Sequence, residues 1–531
     1  MSIIVSGITL PFSATDGDAV REAVRRTGLG ERSVLSSSIH KLSFDLRHNN
    51  LSRVYSVELR LDTDEAKLAD GLGLPSVKVR AASSMASPTG TARLTHRPVI
   101  VGFGPAGLFA ALVLARNGYA PLVLEKGAAM EQRDAAVDRF FGGGALDLSA
   151  NVQFGEGGAG TYSDGKLTTR IGDPRCQLVL DLLREHGAEA DMLRRAKPHI
   201  GTDKLKHIVT AMRREIVALG GEVRFLSCVS DVLIDGDKLK GFTCENGDAV
   251  PAEVAVLAAG HSARDLFALL KRKNVSMTAK PFSVGVRVEH LQADIDQGLY
   301  GRYVGTPGLP PGEYTLSRRE GERGCYTFCM CPGGYVVAAA SERGGVVTNG
   351  MSYHARSGKN ANAAVCVAVT PEDFGSGDVL AGVDYQRRIE QAAFAAAGGD
   401  YKAPAQLWSD FEKGRVSDRL GRVEPTYSRG IVFTDLTKVL PDVAADMIRR
   451  SMTHFGRKIR GFDAPDIVFT APETRTSSPV RILRGDDLMS LSLRGLIPCG
   501  EGAGYAGGIV SAAVDGVRAA EKIMELYAPL R

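Results

Sequence analysis

From Arg97 to Gly127 the chain reads RPVIVGFGPAGLFAALVLARNGYAPLVLEKG. An apolar run at Pro98–Val101 predicts a buried strand, glycines then predict a turn, and an apolar stretch from Pro105 to Arg116 predicts a helix. A second apolar strand at Pro121–Leu124 ends in Glu125, which completes a βαβ unit. Downstream, an amphipathic helix over Lys204–Leu219 leads through the turn Gly220-Gly221 to the strand EVRFLSCV. AEVAVLAAG, Ala252–Gly260, reads as a buried strand ending in a glycine turn. Strands alternating with helices in this order predict an α/β class.

Other segments follow a period of two. In PFSVGVRVEH, Phe282, Val284, Val286 and Val288 fall on one face and Ser283, Arg287 and Glu289 on the other, so a half-buried strand is expected. CYTFCMC and GYVVAAASE flank Pro332-Gly333-Gly334 and predict a β-hairpin within an antiparallel sheet. Residues 1–80 read as a small α+β unit: a strand at Ser2–Leu10, a helix from Asp16, and strands around Ser43 and over Tyr55–Leu61. AASSMASPTGTA, Ala81–Ala92, opens a linker placed at 81–95.

With 531 residues the chain is too long for one ordinary core, so two or three domains are expected. Its net charge of +4 is small for that length and gives no strong signal for nucleic acid or an anionic membrane. No apolar run approaches the roughly 20 residues that span a bilayer. MSIIVSGITLPF also lacks the basic start of a secretory signal, so a cytoplasmic protein is expected. Eight cysteines spread along the chain suit a reducing compartment.

GFGPAG, Gly102–Gly107, is the chemically informative stretch. Gly102 permits the tight turn, Gly104 lets a pyrophosphate approach the backbone, and Gly107 lets helix and strand pack closely. The helix N-terminus at Pro105, which itself has no N–H, then offers the free N–H groups of Ala106 and the residues after it to phosphate. Glu125, followed by Lys126, stands where a carboxylate accepts the ribose hydroxyls of adenosine. This fingerprint alone leaves FAD and NAD both open. A second glycine-rich loop, NVQFGEGGAGTYSDGKLTTR at Asn151–Arg170, is too irregular for a helix or strand, and its glycines suggest backbone packed against something flat or anionic.

Taken together, VGFGPAG, FGEGGAGTYSDGKL, PHIGTDKL, LAAGHSARD, PFSVGVRVEH, FCMCPGGYVVAAASE, TNGMSYHAR, ETRTSSPVRI and GEGAGYAGGI resemble the bacterial FAD-dependent, NAD(FAD)-utilising dehydrogenase family of the two-dinucleotide-binding-fold flavoproteins. The resemblance covers nearly the whole chain. It implies a Rossmann-like split FAD-binding domain at 96–265 and 490–531, with an α+β substrate or cap domain inserted at 266–489. It implies non-covalent FAD held also by Gly157, Gly158, Ala159, Gly160, Val229 at the adenine, Ala259 and Gly260. At the C-terminal end Gly500, Glu501, Gly507, Gly508 and Ile509 would meet the other end of the same cofactor.

GAGYAG, Gly502–Gly507, also fits the dinucleotide fingerprint, but the chain ends at Arg531, too soon for a second strand and ribose acid. One cofactor is therefore expected, with NAD(P)H binding only transiently if it serves as donor. GHSAR breaks the G-x-S-x-G nucleophile pattern at Arg264, which leaves Ser262 as a turn or cap residue. Cys325, Cys329 and Cys331 lack the partners of a metal site, so no metal is expected. Cys329 and Cys331, on one face of a strand, read as structural thiols first and a redox pair second.

Arg287, His290, His354, Arg356, Arg475 and Arg481 lie in the family-like motifs, and as a group they suggest a small anionic substrate. Together these readings give an FAD-dependent oxidoreductase moving hydride between such a substrate, or NAD(P)H, and flavin N5. The alternatives are a flavin monooxygenase, a flavin-carrying RNA-modification or RNA-binding protein, and a redox sensor.

Overall fold

A computed structural model of the chain describes residues 1–47, 50–80 and 85–530. Those residues form two compact units, Met1–Met85 with Pro174–His199, and Ala86–Asp173 with Ile200 onward.

The N-terminal unit is built on a four-stranded antiparallel sheet in the order Val34–Asp45, Ser52–Leu61, Ser2–Pro11, Val77–Arg80. Alternate residues Ile3, Val5, Tyr55, Val57 and Leu59 form its core. The helix Asp16–Thr27 starts where Thr15 and Asp18 exchange capping bonds and ends at left-handed Gly28. Pro174–His199, which the sequence reading left inside the 96–265 segment, belongs to this unit. The backbone joins it there, because Leu42 N–H donates to the Arg194 carbonyl and Ala196 N–H to the Leu42 carbonyl, each at 2.7 Å. A pairing between residues about 150 positions apart leaves no local pattern for a sequence to show.

The first residues of the expected linker, Ala81–Ser84, lie outside the described residues. Its second half is not a free tether: Gly90 N–H donates to the Met524 carbonyl at 2.9 Å, and a Cβ on Gly90 would stand 2.2 Å from the Tyr527 nitrogen.

In the larger unit a five-stranded, all-parallel sheet runs in the order Leu496–Pro498, Ala255–Leu257, Val99–Val101, Leu122–Leu124, Glu222–Arg224. All but the last strand are wholly buried, and Val99, Val101, Leu122, Leu124, Ala255 and Leu257 share a core with Val232, Leu239 and Phe242 of a three-stranded antiparallel sheet. The helices Pro105–Arg116 and Ile509–Leu526 pack on each other. Their backbones approach so closely that a Cβ on Gly516 would meet the Ala106 oxygen at 2.0 Å.

A seven-stranded sheet follows, in the order Ser317–Glu320, Arg323–Cys331, Asn360–Val369, Phe282–Leu291, Val468–Glu473, Ala403–Leu407, Ile431–Phe433. Two expectations fail here. Phe282–Leu291 is buried on both faces rather than half-buried, because it sits mid-sheet and its polar residues are matched internally, Arg287 by Glu473 and Glu289 by Thr426 and Asn360. The hairpin around Pro332-Gly333-Gly334 does not form either: Arg323–Cys331 pairs with Asn360–Val369 and Ser317–Glu320, whereas Tyr335–Ala338 pairs with Thr348–Met351. Asn360–Val369 offers a ten-residue buried strand, and that longer partner outweighs the local turn. Among the described residues no helix is long and apolar enough to cross a membrane.

Candidate functional site

The C-terminal ends of the parallel strands open into a cavity of about 340 Å³. Crevices at that end of an open α/β sheet are where such folds bind ligands. The turn after Val99–Val101 reaches it through Gly102, Phe103 and Gly104. Gly102 has φ +99° and lies against Ala258, where a Cβ would stand 2.4 Å from the carbonyl oxygen. Gly107 faces backwards, and a Cβ there would meet the Gly102 oxygen at 1.9 Å. Gly104 caps the helix with no side-chain hydrogen bond, so the first N–H groups of Pro105–Arg116 are left for a ligand.

Glu125 ends the second strand with its carboxylate buried. One oxygen accepts from Phe103 N–H at 2.8 Å, and the other from Gly127 N–H at 2.8 Å and Gly155 N–H at 3.0 Å. The acid thus ties three glycine-bearing turns together and retains acceptor capacity toward the cavity it lines. Arg133, wholly buried, clamps the Asn151–Arg170 loop by donating to the carbonyls of Asn151 and Val152, each at 3.0 Å, and of Glu156 at 2.6 Å. Glu156 in turn accepts from Met130 N–H and from Arg213. The sequence reading missed this clamp because nothing near Arg133 advertises it. The clamped loop touches the first helix start at Gly158, whose added Cβ would stand 2.9 Å from Gly104 Cα. It touches the second at Gly160, whose Cβ would lie 3.2 Å from an Ile509 side-chain carbon.

That second helix, Ile509–Leu526, also begins without a side-chain cap, at Gly508 with φ +125°. Gly507, Gly508 and Ile509 line the same cavity as Gly104, Pro105 and Ala106. A Cβ added at Gly507 or Gly508 would meet nothing within 4 Å. Two helix N-termini therefore bring partial positive charge to one chamber. Glu501 lies beside them with its carboxyl pushed up to about 7 by burial, offset in part by Lys280. His261, 4.0 Å from Glu501, is held neutral by burial and by the nearby Arg475 and Arg264 cations, its value pulled down to about 3.

Most of the expected cofactor contacts line this cavity, including Lys126, Ala159, Val229, Ala259 and Gly260. Gly107, Gly157 and Gly500 stand behind its wall, where they permit close packing against Gly102, Thr161 and Ala106. The cavity also includes residues that the sequence reading did not single out, among them Ser163, Asp164, Lys166, Asn349, Glu473 and Thr476. Ser262 sits in a turn and donates to Gln153 at 3.0 Å.

The basic candidates separate. Arg475 lines the cavity, its guanidinium held by Glu390 at 3.0 Å and Ser341 at 2.6 Å. Burial pushes the Glu390 carboxyl up, but Arg475 and Arg264 more than offset this and hold it at about 2. Arg287 is behind the wall on Glu473 at 2.5 Å, and Arg356 is paired with Asp164. Arg481 donates to the Gly504 carbonyl at 3.1 Å and stacks over Tyr505. His290 lies in an aromatic cluster with Tyr314 and Phe462, bonded to the Phe462 carbonyl at 2.9 Å. His354 bonds the Ile200 carbonyl at 3.0 Å. Cys329 lines the cavity, whereas Cys331 is wholly buried beside it.

A parallel sheet, a glycine turn feeding a helix N-terminus, and a strand-end acid are the features with which α/β folds bind dinucleotides. The cavity suits FAD. Its glycine wall leaves room that Cβ atoms at Gly507 and Gly508 would occupy, two uncapped helix starts can receive a diphosphate, and Glu125 can receive hydroxyls.

Residues 281–476 match the family model described as FAD-dependent protein, C-terminal domain-like. The chain is 45% identical over 532 residues to an uncharacterized protein of Clostridium beijerinckii, covering 99% of each. It belongs to the same family as that protein. Among solved structures, glycine oxidase from Bacillus cereus aligns at 10% identity over 81% of this chain and 97% of its own, with a TM-score of 0.34. Glycine oxidase from Geobacillus kaustophilus aligns at 14% identity over 81% and 95%, also with a TM-score of 0.34.

Proposed function

We propose that the protein is an FAD-dependent oxidoreductase that moves hydride between a small organic substrate, or a transiently bound NAD(P)H, and flavin N5. The observation that carries this reading is the meeting of two uncapped helix N-termini, at Gly104 and Gly508, in one cavity closed by Glu125 and Glu501. FAD, when bound, supplies the hydride-accepting centre. The chain's own residues do the rest.

The helix start at Pro105 and the loop at Gly158–Gly160 hold a diphosphate, while Glu125 and Val229 bind the adenosine side. Ile509 and its neighbours present the positive end of the second helix, which favours negative charge there. Glu501, protonated below about pH 7, can donate a hydrogen bond to a ligand atom and become an acceptor above it. His261 stays neutral across physiological pH. Of the six basic candidates only Arg475 faces the cavity, so an anionic substrate group would be met by that guanidinium.

Anaerobic mixing of the purified flavoprotein with NADH, NADPH and candidate organic donors tests the reading. Bleaching of the flavin band by one of them is expected, and flavin that none can reduce would count against an oxidoreductase.

A further inference from the structure

We propose that Cys329 and Cys331 form a dithiol–disulfide couple that exchanges two electrons with the flavin, an inference resting on the reading above. Along a regular strand, residues i and i+2 have Cα atoms roughly 6.6 Å apart, near the upper limit of about 6.8 Å for a disulfide. This strand is not regular there. Its register with Asn360–Val369 breaks between Phe328 and Cys331, and Cys329 adopts φ +48°, a left-handed conformation uncommon outside glycine. At the bulge the Cys331 thiol turns back on its neighbour: its sulfur lies 3.3 Å from the Cys329 carbonyl oxygen. Left-handed non-glycine residues are strained and cluster at functional sites.

The surroundings fit a redox role. Cys329 lines the cavity with Asn349, Glu473, Arg475 and Glu501. Cys331 is sealed behind it over Gly350, where a Cβ would stand 3.1 Å from its sulfur. Arg287 donates to the Cys329 carbonyl at 3.0 Å. The Cys331 thiol beside it, helped by Arg287 and Lys166, lowers Cys329 to about 7 against the effect of burial. Cys331 moves the opposite way, well above an ordinary thiol. Cys329 on the cavity wall and Cys331 behind it have the placement of an attacking and a resolving thiol.

In the step, the Cys329 thiolate and Cys331 thiol join in an S–S bond. Their electron pair passes to oxidised FAD, and the Cys331 proton goes with it, giving one anionic reduced flavin. The reverse step breaks the S–S bond, oxidises the flavin and returns the proton to Cys331.

Two measurements on the air-equilibrated holoprotein test this. Alkylation after denaturation should find two fewer thiols than the eight cysteines of the chain, with peptide mapping placing the missing pair at 329 and 331. Anaerobic dithionite titration should require twice the electrons per flavin that Cys331→Ser requires. Cys329→Ser should halve the demand in the same way. All eight thiols free, with full flavin reduction at the same electron count in wild type and Cys331→Ser, would overturn the couple. Protein with no flavin would fail the oxidoreductase reading instead, while the thiol count would still decide whether the pair closes.

Discussion

Replacing Gly104 by alanine separates a cofactor role for the first glycine loop from a packing role. Gly104 has φ −76°, which alanine adopts freely, and its added Cβ would stand 3.7 Å from Gly158 Cα, an ordinary contact. Folding stability should thus change by no more than about 0.5 kcal/mol. The methyl group would, however, sit at the mouth of the uncapped helix, where a diphosphate must come within hydrogen-bonding distance of backbone N–H. Losing about two charge-assisted bonds at 1.5–3 kcal/mol each costs at least about 3 kcal/mol, or roughly 100-fold in FAD affinity. Gly107→Ala is the control, since its Cβ would clash with backbone oxygen at 1.9 Å and force helix and strand apart. It should lower both stability and affinity. FAD titration by fluorescence quenching, beside urea unfolding of the flavin-free proteins, reads the two quantities separately. Undiminished FAD affinity in a folded Gly104→Ala protein would refute the placement of the diphosphate.

Glu390→Gln leaves the Arg264 and Arg475 guanidiniums facing a neutral amide and should cost on the order of 3–5 kcal/mol, read as a lower urea midpoint; an unchanged midpoint would show the network to be unimportant. Glu501 has a raised native value of about 7 against an ordinary 4.5, so the flavin-free protein binds its proton more tightly than the unfolded chain does. Its contribution is fully favourable below about pH 4.5 and is lost as pH rises through 7, on the order of 3 kcal/mol at most. Glu501→Gln should flatten that part of the stability–pH curve, and parallel curves would contradict the assignment. Glu125→Ala removes the acceptor shared by Phe103, Gly127 and Gly155 N–H and should both destabilise the fold by about 1–3 kcal/mol and reduce FAD uptake, measured in the same titrations.

The parts of the molecule that could be read from sequence are those whose partners are close in the chain. The strand, glycine turn, helix and acid of residues 98–125 carry their pattern within one βαβ unit, and the structure builds them there. GAGYAG leads directly into a helix, and that helix starts in the same cavity as the first glycine loop. Pairings across long separations left no trace. Arg133 on the Asn151–Arg170 loop, Glu390 between two arginines, and the Pro174–His199 segment in the N-terminal unit are examples. The polar face of Phe282–Leu291 looked solvent-facing because alternation reports polarity and not the buried partners that satisfy it. The turn at Pro332-Gly333-Gly334 is present, but a longer strand elsewhere captured its neighbour.

The central claim is that one cavity, fed by two helix N-termini, binds one non-covalent FAD. It is tested most directly by the absorbance spectrum of the purified protein and of the supernatant after heat or acid denaturation. The expected result is a flavin spectrum with about one FAD per chain released intact. A colourless protein that takes up no FAD when it is supplied would contradict the claim.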